Sequence, residues 1–276
     1  MQQFKCFMKF IIISVLIVLS YSGSAQELFT ATEPASNRPA RSIGFRVDHS
    51  LMDETGTSRI NYHLIPEVMI GVYNILSVLG GVFLSNRSDR FRYEGASLYA
   101  KYRFLSRDQL QRHFRMASFV RVSTNNSDIH QQELSVYGHN TGFEAGIVAT
   151  QLLKKVAISS SVSYVKVTDN GNGNKFPYNG RERDAVNYSL SFGKLMWPKT
   201  YFNYRQLNLN LMLELLAQRN LESGKYFIDA APTVQFIVNS QSRIDISYRK
   251  ELGSNMLRTA PNGFVIRLEH TLFNVF

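Results

Sequence analysis

Cysteine is almost absent: Cys6 is the only one in 276 residues, and it sits near the start of the chain. A disulfide framework is thereby excluded, and so is a zinc site built from cysteine pairs. Long apolar runs are equally scarce. The one clear stretch, Phe10 to Leu19 broken only by Ser14, is too short for a permanent membrane helix. Nothing of helix length recurs after residue 25, which excludes a helical membrane protein. No glycine-rich phosphate cradle is present, and no cofactor is expected. Acidic side chains are also in deficit, 21 against 31 basic ones, for a formal net charge of +10. Such an excess suits nucleic acid or an anionic surface. No basic cluster with interleaved aromatics occurs, so nucleic acid is set aside. Anionic lipid head groups and an anion-preferring lumen are the partners that remain.

What is present begins with a leader. Lys5 and Lys9 precede the apolar run, and Ser22-Gly23-Ser24-Ala25 follow it. This is the pattern of a cleaved signal peptide over residues 1–25, with cleavage after Ala25 and Gln26 as the new N-terminus. A short membrane anchor is the alternative. Cys6 lies before the apolar run, where a lipoprotein cysteine would lie after it. Residues 26–40 hold Pro34 and Pro39 and little periodicity. They read as an extended periplasmic lead-in that can fold into a barrel mouth.

From residue 41 to 276 the dominant signal is alternation at period two, the mark of strands with one apolar face. The cleanest strand sets Leu207, Leu209, Leu211, Leu213 and Leu215 against Asn208, Asn210, Met212 and Glu214. About twelve such strands are expected. A soluble sandwich alternates too, so link lengths are the better guide. Links at 53–59, 85–92, 125–141, 169–183, 217–224 and 253–262 alternate with shorter ones at 74–75, 106–112, 153–155, 197–200 and 239–242. One long-looped end and one short-turned end predict an all-β, antiparallel, up-and-down transmembrane β-barrel in the bacterial outer membrane. An even strand count places both termini on the periplasmic side. Tyr73, Phe104, Trp197, Tyr201 and Phe202 fall near the short turns. Phe91, Tyr93, Phe143, Tyr178, Tyr226 and Phe264 fall near the long loops, as two head-group girdles require.

The final stretch, alternating from Phe264 and ending in Phe276, resembles the C-terminal insertion signal that the barrel assembly machinery reads. More widely, residues 41–276 resemble transporter-type outer-membrane barrels grouped near the phenol-degradation MetA-like family, on strand grammar, length and ending. Some residues fit poorly. Pro66 and Pro232 fall inside strands and are expected at bulges or breaks, and Gly80-Gly81 is expected at a kink. His49 and His270 fall on the apolar face, on strands that become neighbours when the barrel closes.

The face opposite the apolar one is the candidate site. Its expected lumen-lining charges are Arg46, Lys101, Arg103, Arg115, Arg121, Glu144, Glu214, Asp245, Arg249, Arg267 and Glu269, with Asp48, His63, Glu67 and Asp229 beside them. Charges of both signs can line a wet channel or pair into a plug. Lys101, Arg103, Arg115 and Arg121 cluster on two adjacent strands, where no acid is expected. The reading is a passive channel or transporter for small polar solutes, with outer-membrane lipids as partners. Two rivals stay open. His139-Asn140-Thr141 is similar to the H-x-S of outer-membrane phospholipases and lipid A deacylases, with Thr in place of Ser, which implies a lipid-modifying hydrolase. A closed barrel with partner-binding loops is the other. Asp169 to Asn174 suggests a calcium loop, yet Lys175 and Arg181 hold the places of the required Gly and acid. His130 and His139 find no third metal ligand.

Overall fold

A computed structural model describes residues 29–87, 90–176, 182–198 and 206–276. The leader over 1–25 with its cleavage point lies outside the described residues, as do Tyr178, Tyr201 and Phe202. The strands are β1 (Ser42–Asp53), β2 (Ile60–Tyr73), β3 (Leu76–Ser85), β4 (Arg92–Gln109), β5 (Arg112–Asn125) and β6 (Gly142–Leu153). They continue as β7 (Val156–Val167), β8 (Asp184–Trp197), β9 (Asn208–Asn220), β10 (Tyr226–Val238), β11 (Ser242–Ser254) and β12 (Asn262–Leu272). Each pairs antiparallel with its neighbours in sequence, and β12 pairs with β1 to close the barrel.

Alternation decides which face is which. Along β9, Leu211 and Leu213 are exposed while Met212 and Glu214 are buried. The same holds around the wall, where Phe45, Val68, Leu98, Val120, Ile147, Leu190 and Ile246 all point outward and exposed. A sandwich would bury these side chains; here they form a continuous apolar exterior, which only a lipid solvent accommodates. Phe91, Tyr93, Phe143, Tyr226 and Phe264 at the long-loop end, and Tyr73, Phe104 and Trp197 at the other, are exposed too. Both girdles therefore face outward.

Several local expectations need correction. The link expected at 106–112 is only Leu110-Gln111, because the polar run before it still pairs: Asp108 sits opposite His113, and its carboxylate bonds His113 and Arg115. Pro66 marks no bulge. Its strand keeps register with β1 through Arg46↔Glu67, Val47↔Pro66 and Asp48↔Ile65. Pairing with β3 lapses between Leu64 and Glu67 and resumes in the same register, so the missing N–H costs a rung and not the alignment. Pro232 behaves likewise, and the bulge of β10 lies at Ile228/Asp229 instead. Gly80-Gly81 shifts nothing; a Cβ on Gly81 would lie 2.8 Å from Glu67 Cγ, so its smallness makes room for that carboxylate. His49 and His270 are on neighbouring strands, each tied locally, to Tyr62 and to Ser242. The last strand stops at Leu272, and Phe276 lies beyond it, exposed, with its carbonyl accepting from Arg41 Nε.

The seam between β1 and β12 is ionic on its inner face. Arg46 lies opposite Glu269 and bonds it at 3.0 Å, and Asp48 lies opposite Arg267 and bonds it at 2.6 Å.

Candidate functional site

Of the candidate lumen residues, Arg46, Lys101, Arg121, Glu214, Asp245, Arg267 and Glu269 are buried, and Arg103, Arg115, Glu144 and Arg249 are half-buried. The walls differ in chemistry. Inward from β7 and β8 come Ser159, Ser161, Ser163, Ser189 and Ser191, a neutral hydroxyl surface. Facing in from β11, β12, β1 and β2 is a mixed-charge network. Arg243 pairs with Asp245 at 3.1 Å and with Glu269 at 3.0 Å, while Arg46 also reaches Glu67 at 3.3 Å. The basic stripe of β4 and β5 is present, but it is not free of acid. Glu94, buried at the long-loop end of β4, takes a hydrogen bond from Ser85 at 2.6 Å and lies 3.7 Å from Arg87.

Among the described residues, two chain segments that are not strands occupy the bore. The first is the lead-in. From Phe29 to Arg41 it runs inside the barrel and crosses it as a strap. Glu214 on β9 accepts the backbone N–H groups of Thr30, Ala31 and Thr32 at 2.8, 2.8 and 2.9 Å. Lys101 on β4 donates to the Pro34 and Ser36 carbonyls at 2.6 and 2.8 Å, and Thr150 on β6 receives the Ala35 N–H. Glu33 pairs with Arg46 at 2.5 Å, and Arg38 pairs with Glu269 at 2.5 Å. The two prolines explain the form: Pro34 and Pro39 favour extended backbone, whose unpaired carbonyls and N–H groups the wall then satisfies.

The second segment is the link over 126–141, which folds inward from the long-loop end. Leu134 and Val136 are buried, and Leu134 and Val136 cluster with Val165, Val167 and Phe176. Gln218 on β9 clamps Leu134 by accepting its N–H at 2.8 Å and donating to its carbonyl at 2.7 Å. Tyr137 donates to Asp48 at 2.8 Å. Arg121 lies between two rings, 4.3 Å from the Tyr137 centroid and 4.9 Å from that of Tyr99, so a wall cation is gripped by one wall ring and one loop ring. Glu133 bonds Arg249 at 3.0 Å and Arg258 at 2.7 Å. Burial alone would raise the Glu133 carboxyl, but the two guanidinium groups outweigh it and hold it at about 2. His139 packs on His63 beside a cavity of about 90 Å³ that Arg87, His130, Gln131 and Arg249 also line.

The hydrolase arrangement is not assembled. Thr141 Oγ1 accepts the Asn125 N–H at 2.8 Å and donates to the Asn125 carbonyl at 3.1 Å, while His139 turns to Gln131 and His63. His139 and Thr141 therefore serve separate contacts. Asp169 is engaged by Phe176 N–H and Arg183, as a turn anchor.

Sequence reasoning missed Tyr137, Glu133, Arg258 and Glu33, all of them on links or the lead-in. One signal was available for the long link: Ile129, Leu134, Val136 and Tyr137 are apolar or aromatic in a mostly polar segment, and links of this length are seldom idle.

No family profile matches the chain, and no curated protein matches it. Solved structures do. The KdgM porin superposes with a TM-score of 0.50 over 82% of this chain and 98% of its own, at 7% identity. The COG4313 outer membrane channel from Pseudomonas putida F1 gives 0.55 over 88% of this chain and 99% of its own, at 10% identity. With its apolar exterior and closed ring of twelve strands, the chain has the fold of the bacterial outer-membrane β-barrels.

Proposed function

We propose that this protein is an outer-membrane channel for small polar solutes, held closed in this structure by the strap and the inward link. The carrying observation is the nature of what fills the bore. The wall side chains are polar or charged on almost every strand, and they do not meet across the lumen to form a core. Beside the ion pairs along the wall itself, they meet two tethered segments, through hydrogen bonds and ion pairs that water or a solute can replace and, for the link, through the apolar contact of Leu134 and Val136 with Val165 and Val167. A barrel built only to be closed would fill its interior with its own wall side chains. The folds of the KdgM porin and the COG4313 channel support the same reading, and placement near the phenol-degradation MetA-like barrels is its finer form, on strand grammar and length.

The solute class follows from the stripe. Lys101, Arg103, Arg115 and Arg121 stand on one wall, and in the closed form Lys101 is saturated by strap carbonyls. With the strap displaced, that wall presents its field to anionic or strongly hydrogen-bonding solutes. The test is planar-bilayer conductance of wild type beside Glu214→Ala, which removes the acceptor of the strap's N–H groups. Small or flickering wild-type currents and larger, longer-lived ones in the variant are expected. Electrical silence in both would overturn the channel and leave a closed barrel with exposed loops.

A further inference from the structure

His63 of β2 and His139 of the 126–141 link meet ring to ring, with centroids 4.9 Å apart and planes at 30°. This is one of the places where the inward link touches the wall, beside Leu134 on Gln218, Tyr137 on Asp48 and Glu133 on Arg249. Arg87, from the link between β3 and β4, lies 3.5 Å from His63 Nε2 and donates to the Gly138 carbonyl at 3.1 Å. The Gln131 amide stands 3.4 Å from His139 Nδ1. Among the described residues neither ring has a carboxylate partner. The charged groups around the pair are otherwise spoken for. Arg87 faces Glu94 of β4 at 3.7 Å. Arg249 of β11 and Arg258 of the following link are both bound by Glu133 and Asp229. His130 and Asp128, on the same link as His139, are exposed and 3.8 Å apart.

We propose that the His63–His139 pair is a proton-operated catch that keeps the 126–141 link inside the barrel. When both rings are neutral they pack against each other, and the link stays docked. When they gain protons they repel one another and Arg87, and the adjoining polar cavity lets water reach them. The inference rests on the channel reading for what release accomplishes, and on the ring contact, the adjoining Arg87 and the cavity for the release itself.

The direction follows from linkage. Burial first, and Arg87 second, push the docked His139 imidazole well below its ordinary range. In a released link it regains a value of about 6.5. Docking is therefore fully favoured above that value and is lost as pH falls below it. Each unit of acidification multiplies the released-to-docked ratio by up to about tenfold per ring, or about a hundredfold for the pair. Glu133 cannot be the sensor, because its ion pairs persist down to about pH 2.

The experiment is hydrogen–deuterium exchange of the full chain in lipid nanodiscs between pH 7.5 and 4.5, corrected for intrinsic rates. It follows peptides covering 126–141 and is paired with bilayer currents of Glu214→Ala. Protection of the link should collapse steeply in acid. His63→Gln and His139→Gln should each reduce the slope from about a hundredfold to about tenfold per pH unit, and the double variant should flatten it. His130→Gln, at an exposed ring, should leave it unchanged. A link equally protected across the range, or a double variant that still responds, overturns the catch. Acid release without any current overturns the channel while the catch stands. Acid-induced current with the link still protected overturns the catch while the channel stands.

Discussion

Single hydroxyl groups separate the side chains that hold the plug from those that only line it. Tyr137 and Tyr99 flank the same guanidinium, yet Tyr137 donates to Asp48 and the buried Tyr99 hydroxyl has no partner among the described residues. Tyr137→Phe should loosen the inward link by roughly 1.5–3 kcal/mol, the worth of a hydrogen bond to a charged group. Tyr99→Phe removes an unsatisfied buried group and should be neutral or stabilising. Urea midpoints in lipid, with limited proteolysis of the link, would check both; equal loss in the two variants would contradict the assignment. At this scale the sequence was legible wherever a residue sits in a strand, since alternation alone turns Arg121 or Glu214 inward. It was silent on partners. That Glu214 would grip backbone N–H groups of the lead-in, or Arg121 a ring of a link, depends on chain segments without periodicity.

Strands carry the most readable information because period two is imposed by geometry and solvent has to match it on both faces. Leu213 on β9 is exposed and flanked by outward Phe192 and Pro232. Leu213→Arg should therefore cost roughly 2–4 kcal/mol of barrel stability, as an arginine facing lipid near the midplane does. Asn210→Arg points into the bore, and its effect should be far smaller. Comparable midpoints for the two would mean that β9 has been assigned the wrong face. The misread elements share one cause. At Pro66, Pro232 and the polar run Ser106 to Gln109 local propensity argues against a strand, whereas the neighbouring strands fix the pairing and outvote it. The lead-in was legible only as a segment able to enter the barrel mouth, for the opposite reason: it has no partner strand, and its path depends on side chains of β1, β4, β6, β9 and β12.

For the whole molecule the electrostatic asymmetry of the walls gives a further expectation. In the Glu214→Ala background, a salt gradient should yield a reversal potential showing anion preference. Replacing Arg103, Arg115 and Arg121 with Ser should move it toward zero. An unchanged potential in the triple variant would dismiss the stripe as the selectivity element. The ionic seam has a consequence for the order of events. Ile43 pairs with Leu272, so β1 and β12 must find each other across nearly the whole sequence, while every other pairing joins neighbours. Loop closure of that span is entropically the most demanding contact in the barrel, and it is the natural last step of assembly. A slipped register would leave Arg46 opposite Thr271 or Arg267 in place of Glu269, burying charge beside the wrong neighbour. The two inward ion pairs thus act as a proofreading step in time: the ring of strands completes only when its first and last members align, and the strap is then enclosed.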